Sequence, residues 1–270
     1  MCALPRILCY HKVERRRELG VTRISPRRFA RQIERVARAG WRTLSLAELG
    51  AVLRGTRPLG ARELALTFDD AYRGLREHAF PVLAAHDFRA ICFVITDYAG
   101  ALNRWDVAYG GRRFAHLAWR DARHWQERGI DFASHTATHQ RLTWLDASLV
   151  ALEMARSRRA LERALDAPAT AIAWPFGASS AREHEIARLE GYDLGFSLTG
   201  RWARDPMTVP RLPVYAWAPP TPGSGPLVPL EWSAAWLANR CAVGTTLWQR
   251  LTGSAPRTAP RAEPVPAVGD

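Results

Sequence analysis

Two groups of polar residues in this sequence have the types and spacing that metal-assisted hydrolysis requires. Asp69-Asp70 directly follows a short apolar run, and His135 and His139 lie four residues apart after another. Adjacent carboxylates repel each other, so one could bind a cation while the other stays free as a base. Histidines at i and i+4 lie on one face of a helical turn, close enough to share that cation. Three ligands with an open fourth position are typical of catalytic zinc-like sites.

Each group taken alone has a simpler interpretation. An acidic pair after a strand can be the N-cap and first-turn acid of the next helix, where the helix dipole favours negative charge. Two histidines at this spacing can also be solvated side chains. The combination favours a metal site, because both groups are predicted to follow strands, and α/β barrels collect functional residues at the carboxyl ends of their strands.

The elements that would position these residues alternate as repeated β–α units. Short apolar runs predict strands at 7–10, 42–44, 63–67, 90–95, 131–133, 171–173 and 194–197. Amphipathic stretches predict helices at 26–40, 45–55, 72–86, 119–128, 146–166 and 181–190. This many repeats favour a closed or nearly closed barrel. The Gly-rich dinucleotide fingerprint and the P-loop are both missing, which argues against nucleotide-binding classes.

The composition of the 270-residue chain limits its class. Hydrophobic residues make up 47% of it, which excludes a wholly disordered chain. We expect one domain over 1–218, a linker and a terminal helix packed on it over 219–252, and a disordered tail over 253–270. No run approaches the roughly 20 apolar residues of a membrane span, and the N-terminus does not resemble a signal peptide. We therefore expect a cytoplasmic protein, and its four cysteines are predicted to be buried reduced thiols.

The net charge of +12 raises the question of a polyanionic partner. Lys12 is the only lysine among 38 basic residues, a skew more typical of coding bias than of a nucleic-acid-binding surface. No nucleic-acid-binding motif is present, so we expect no such partner. The arginine-rich stretch 15–38 could attract the phosphate of a lipid-linked sugar or an anionic membrane surface, although a solvated helix face explains it more simply. The sequence does not determine the oligomeric state.

Three stretches resemble motifs of the polysaccharide deacetylase group, the NodB-homology or carbohydrate esterase family 4 proteins. They are Leu66-Thr67-Phe68-Asp69-Asp70, Ser134-His135-Thr136-Ala137-Thr138-His139 and Trp174-Pro175-Phe176-Gly177. The opening Cys9-Tyr10-His11-Lys12-Val13 resembles the exopolysaccharide-deacetylase branch, so the likeness covers residues 5–215. It implies an α/β fold, a distorted (β/α)7 barrel, and a divalent-metal-dependent hydrolase that removes N-acetyl or O-acetyl groups from sugars.

Applied to the matching residues of this chain, the resemblance implies separate catalytic roles for residues at the barrel mouth. Asp70, His135 and His139 would hold one divalent ion, usually zinc in this family, and Asp69 would be the general base. The backbone N–H of Phe176, in the turn Pro175-Phe176-Gly177, would stabilise an oxyanion.

Aromatic residues near the predicted mouth could line a saccharide groove, because flat rings suit the apolar faces of sugars. They are Trp105, Tyr109, Trp119, Trp144 and Trp174. Core packing explains most tryptophans, and Trp174 is our candidate because it adjoins the third motif.

The chain departs from the family pattern at three places. Ala71 follows Asp70 where the family usually has glycine, and the arginine that often opens the third motif is missing. No histidine follows Pro210-Arg211-Leu212-Pro213, where the family has a leucine–x–histidine motif. Arg211 is our candidate for orienting Asp69, with an ordinary surface arginine as the alternative.

The general acid must therefore come from elsewhere in the chain. In the exopolysaccharide-deacetylase branch it comes from a Tyr-His at the end of the first strand, which matches His11. A neighbouring carboxylate would raise the pKa of this histidine. His116, in an irregular segment, is a weaker alternative, and His11 could instead only cap the strand.

The expected activity is deacetylation of an N-acetylated saccharide, free or lipid-linked. The altered motifs leave a second class open, a catalytically weak glycan-binding protein that keeps the barrel.

Overall fold

The computed structural model describes residues 4–16, 22–105, 113–198 and 204–215. The strands are β1 Arg6–Tyr10, β2 Lys12–Val13, β3 Arg23–Ile24, β4 Arg42–Thr43, β5 Glu63–Phe68, β6 Ala90–Val94, β7 Ile130–Ser134, β8 Ala171–Ala173, β9 Leu194–Ser197, β10 Val209–Pro210 and β11 Leu212–Pro213. The helices are α1 Pro26–Arg38, α2 Leu46–Leu53, α3 Gly74–His78, α4 Phe80–Ala84, α5 Trp119–Gln126, α6 Ala147–Leu165 and α7 Ala181–Leu189. The predicted linker and helix at 219–252 and the tail at 253–270 lie outside the described residues.

One parallel sheet organises the molecule, in the order β10-β9-β8-β7-β6-β5-β1-β11, with β4 beside the start of β5. Val209 pairs with Phe196 of β9, and Leu212 pairs with Leu8 of β1. The segment 209–213 therefore bridges the two edges of the sheet. The result is the nearly closed barrel that the sequence analysis predicted.

Apolar residues fill both faces of this sheet, because successive side chains of a strand point to opposite faces. The rings of Phe93 and Phe196 approach to 5.3 Å although β6 and β9 are not neighbours, so these residues lie inside the barrel. Ile7 belongs to the same interior cluster, whereas Leu8 packs in the layer between sheet and helices. Cys9 lies two residues after Ile7 and therefore points to the same face of the sheet. Its thiol contacts Asp69 at the carboxyl end of the neighbouring strand β5.

Local signals set several helix boundaries where the sequence analysis placed them. Ser45 caps α2 by accepting the N–H of Glu48, whose carboxylate returns to the Ser45 N–H. Asp146 caps α6 by accepting the N–H of Leu149. No helix in the described part of the chain is long and apolar enough to cross a bilayer. The two cysteines described, Cys9 and Cys92, are buried free thiols as predicted.

The predicted helix over 72–86 is wrong in its continuity. It is divided into α3 and α4 at Ala79, where φ is −104° and ψ is −56°. Pro81 has no N–H to donate, and its ring would clash with the carbonyl four residues earlier in a continuous helix. The chain therefore begins a new helix at Phe80.

Candidate active site

The carboxyl end of β5 places the two predicted carboxylates side by side but aims them differently. The Asp69 N–H donates to the Tyr10 carbonyl at 2.9 Å and extends the pairing of β1 with β5. The chain then turns at Asp70 and Ala71, with φ of 67° and 52°. Glycine adopts this left-handed conformation without a steric penalty, so a glycine after the second aspartate has a physical basis. Alanine at this position keeps the turn.

Asp69 forms an ion pair with the buried Arg211, which lies 142 residues later in the chain. Arg211 donates from Nη1 to Oδ1 at 2.6 Å and from Nη2 to Oδ2 at 2.9 Å. Both residues are about 1% exposed, so this is an interior ion pair rather than the surface arginine that was the alternative. Burial alone would raise the pKa of Asp69, but Arg211, together with His135 and His11, outweighs the burial and lowers that pKa. The contact predicted between Arg211 and Asp69 is present, and it keeps the carboxylate ionised.

Asp70 faces the two predicted histidines. Its Oδ1 lies 3.5 Å from His135 Nε2 and 3.6 Å from His139 Nε2, and all three residues are buried. Their ligand atoms lie within 4.8 Å of one another. The pKa of Asp70 is lowered despite its burial, chiefly by His135 and His139. The three predicted ligands are therefore brought to one point, with Asp69 beside them.

The histidine pair lies on a loop after β7, so the helical turn assumed for it in the sequence analysis is wrong. Thr136 and His139 have φ of 65° and 61°, which a right-handed helix does not allow. The His139 N–H instead donates to the Thr136 hydroxyl at 3.1 Å. The loop still turns both rings toward Asp70, so the spacing brings the pair together by a different backbone path.

The donor atoms of this cluster fit a divalent cation. His135 Nδ1 lies 2.9 Å from the Ala173 carbonyl and can only donate to it, which leaves Nε2 as an acceptor in the neutral ring. Asp70 Oδ1 is buried and has no hydrogen-bond partner among the described residues. Burial and the nearby His135 lower the pKa of His139 to about 3, so its ring is neutral near pH 7. An ionised carboxylate and neutral imidazoles are the forms that bind metal. Asp69 and Asp70 outweigh burial and raise the pKa of His135, so a bound metal ion would displace the proton that they favour on this ring.

His11, the predicted general acid, lies close to Asp69. Its Nε2 is 4.0 Å from Asp69 Oδ2, and its side chain is 14% exposed, which leaves it reachable from the mouth. Burial lowers the pKa of His11 and outweighs the opposing effect of Asp69. The neighbouring carboxylates Asp69 and Asp70 do raise this pKa, as expected, but the sequence analysis did not include the burial, which makes the net shift downward. The location at the mouth, beside Asp69, is as predicted.

His116, the weaker alternative for the acid, is fixed in a neutral form. Its Nδ1 lies 2.6 Å from the Asp70 carbonyl, and its Nε2 accepts the Trp105 indole N–H at 3.3 Å. Burial lowers its pKa to about 4. Both ring nitrogens are occupied, so His116 supports the turn at Asp70 and has no proton available for a substrate.

The aromatic residues are distributed differently from the prediction. Trp174 has no exposed surface and donates its indole N–H to the Met207 carbonyl at 2.8 Å, so the structure contradicts its role as a sugar-stacking face. Trp105 and Phe176 instead lie at the site, with ring centroids 4.0 and 4.7 Å from that of His139.

The remaining aromatic candidates do not line the cluster. Trp119 packs in the core beneath the helices, and Trp144 is 39% exposed beside Arg141. Tyr109 lies outside the described residues. Trp105 was among the aromatic candidates, but proximity to a motif favoured Trp174 and gave no indication of Trp105.

A nearly closed parallel barrel with a carboxylate–dihistidine cluster at its mouth defines the class of the protein. The sequence pattern of the Polysaccharide deacetylase family matches residues 56–195, and the chain belongs to that family.

Similar proteins and solved structures agree with this assignment. "Putative polysaccharide deacetylase YxkH" of Bacillus subtilis (strain 168) is 25% identical over 189 residues, which cover 70% of this chain and 62% of that protein. The Escherichia coli (strain K12) poly-beta-1,6-N-acetyl-D-glucosamine N-deacetylase is 28% identical over 101 residues, 36% of this chain and 15% of that protein. The chain thus spans less than two thirds of the length of either relative.

Among solved structures, IcaB from Ammonifex degensii is 26% identical, with a TM-score of 0.65 over 87% of this chain and 96% of that one. The Streptococcus pyogenes deacetylase PplD in complex with acetate has the same fold. It is 23% identical, with a TM-score of 0.72 over 82% of this chain and 96% of that one.

Proposed function

We propose that this protein is a divalent-metal-dependent hydrolase that removes N-acetyl groups from an amino-sugar glycan. The observation that carries the proposal is the separation of two adjacent carboxylates into different tasks. Asp69 is paired with Arg211, whereas Asp70 faces His135 and His139 and has an oxygen without a donor. One metal ion per chain would be held by Asp70, His135 and His139. Zinc fits the donor set, since carboxylate and imidazole are among its ordinary ligands.

When bound, the ion would act as a Lewis acid toward the acetamide carbonyl and would favour ionisation of water. Asp69 is positioned to accept the proton of the attacking water, because Arg211 keeps it ionised and fixes its orientation. The Phe176 amide would donate to the oxyanion, since hydrogen bonds in its turn use the Gly177 and Ala178 amides instead.

The amide nitrogen leaves poorly as an anion, so the reaction needs a proton donor near the scissile bond. His11 would supply this proton, because it reaches the same mouth from β1 and retains some exposure. Trp105 and Phe176 border His139 and would exclude water from the reacting groups.

The names of the relatives suggest the substrate to test first. Poly-beta-1,6-N-acetyl-D-glucosamine is the sugar in the Escherichia coli relative's name, and we propose an oligosaccharide of the same class of amino-sugar chain as the substrate here. The arginines of α1 remain compatible with a lipid-linked form of this sugar.

The experiment is acetate release from such oligosaccharides by the wild-type chain, before and after chelation, with metal content measured in the same samples. We expect release to disappear with the metal and to return on stoichiometric addition. His135→Ala and His139→Ala should lose the metal, whereas His124→Ala, on the exposed face of α5, should keep it. A catalytically weak glycan-binding protein would bind the oligosaccharide and release no acetate under any condition.

A further inference from the structure

Helix α6 presents a row of polar residues to the barrel. Glu153, Arg156 and Ser157 lie at positions i, i+3 and i+4, which places them on one face of the helix. Glu153 and Ser157 are buried next to the apolar Val150 and Met154. A buried carboxylate is costly unless it accepts hydrogen bonds, so the partners of this row indicate its role.

Both oxygens of Glu153 are taken by one residue of the histidine loop. Oε2 accepts the Thr138 N–H at 2.8 Å, and Oε1 accepts the Thr138 hydroxyl at 2.8 Å. Thr138 directly precedes the proposed ligand His139. The two bonds fix both the backbone and the side chain of Thr138, so they constrain where the next residue begins.

Ser157 holds the other end of the loop. Its hydroxyl lies 2.8 Å from that of Ser134, the residue before His135. The Ser134 hydroxyl also accepts the N–H of Thr136 at 3.1 Å, so it contacts the loop on both sides of the ligand.

Arg156 acts on the middle of the loop through a second segment. It donates to Asp97 Oδ2 at 2.6 Å, and the Asp97 N–H donates to the Ala137 carbonyl at 3.0 Å. The row on α6 therefore reaches the start of the loop through Ser157, its middle through Arg156 and Asp97, and its end through the two bonds of Glu153.

We propose that Glu153, Arg156 and Ser157 are positioning residues that fix the separation of His135 and His139 before metal binds. The proposal rests on the metal site of the proposed function. The loop needs such support because its left-handed residues, Thr136 and His139, prevent it from being held as a helix. Residues that orient metal ligands from outside typically change metal affinity about 10- to 100-fold when they are removed.

The first test measures metal affinity of the full chain by competition with a chromophoric zinc chelator. Thr138→Val removes the hydroxyl that Glu153 binds and keeps the side-chain shape, whereas Thr138→Ser keeps both donors. Glu153→Gln places an amide against two donors. We expect Thr138→Val and Glu153→Gln to weaken zinc binding by about 10-fold or more. Thr138→Ser should bind zinc as tightly as wild type, as should Glu162→Gln, which changes a carboxylate further along α6 that pairs with Arg158.

The second test measures amide hydrogen exchange of 135–139 in the metal-free chain. Faster exchange of this loop in Glu153→Gln, but not in Glu162→Gln, supports the positioning role independently of activity. Wild-type zinc affinity and loop exchange in a folded Glu153→Gln protein would overturn the inference. If wild type binds no zinc but the loop still loosens in Glu153→Gln, the proposed function fails while the positioning of the loop stands.

Discussion

Arg211 and Asp69, 142 residues apart in the chain, form a two-point ion pair inside the barrel mouth. Arg211 lies between β10 and β11, at the place where the segment 209–213 passes from one sheet edge to the other. Its N–H donates to the Ser197 carbonyl at 3.2 Å, and its guanidinium carbon is 5.1 Å from the Phe93 ring centroid. Arg211 therefore links the segment that closes the barrel to the orientation of the proposed base.

Arg211→Lys keeps the positive charge beside Asp69 but removes the contact that orients its carboxylate, so it tests the two effects separately. Lysine offers one compact charge and cannot form two parallel hydrogen bonds to Asp69, so the carboxylate loses its fixed orientation. We expect kcat for acetate release to fall roughly 10- to 100-fold, since misplacement of a reacting group has effects of this size. Metal content should not change. A wild-type kcat in Arg211→Lys would show that catalysis does not need the two parallel hydrogen bonds from Arg211 to Asp69.

His11→Gln should lower kcat on N-acetylated oligosaccharides roughly 100-fold or more if His11 is the general acid. The loss should be smaller on an acetate ester with a good leaving group, which departs with little protonation. Both rates are measured with metal content and thermal unfolding, and His124→Gln provides the surface-histidine control. Equal losses on the two substrates, or none on either, would remove His11 from the mechanism.

Glu63→Gln should destabilise the start of β5 in a pH-dependent way. Hydrogen bonds from Arg57, from the Gly60 N–H and from Arg42 lower the pKa of Glu63 to about 2. An unfolded glutamate has a pKa of about 4.3, so the ionised form contributes stability above that pH and loses it as the pH falls toward 2. We expect the substitution to cost about 1–2 kcal/mol at pH 7, after allowance for solvent screening of the half-exposed arginines.

Urea unfolding at pH 7 and near pH 2.5 measures this difference. The gap between wild type and Glu63→Gln should narrow at the lower pH. Glu127→Gln, at an exposed site beside Arg128, should cost little at either pH. A gap that is equally large at both pH values would mean that packing, and not ionisation, explains the loss.

Seven of the strands, in their order along the chain, and the meeting of distant polar residues could be predicted from the sequence, because short apolar runs place Asp69 and His135 at strand ends. The division of the predicted helix at Ala79 could also have been predicted, since Pro81 disfavours a continuous helix. The path of the histidine loop could not, because a left-handed threonine or histidine has no sequence signature.

Contacts that depend on distant segments were harder to foresee. β10 and β11 are two residues long and carry no periodic pattern, so the bridging of the sheet edges is visible only in the folded chain. Trp174 packs in an apolar cluster, and its indole N–H is satisfied there by the carbonyl of Met207, 33 residues away. Glu153 did have a signal, since it is a charged residue on the apolar face of α6.

The central claim, that adjacent carboxylates have separate tasks, is tested most directly by metal content and acetate release of Asp69→Asn and Asp70→Asn. Asp69→Asn should keep one metal ion per folded chain and lose about 100-fold or more of kcat, as expected for a general base. Asp70→Asn should lose the metal and the activity together. Loss of the metal in a folded Asp69→Asn protein, or full retention of it in Asp70→Asn, would contradict the account.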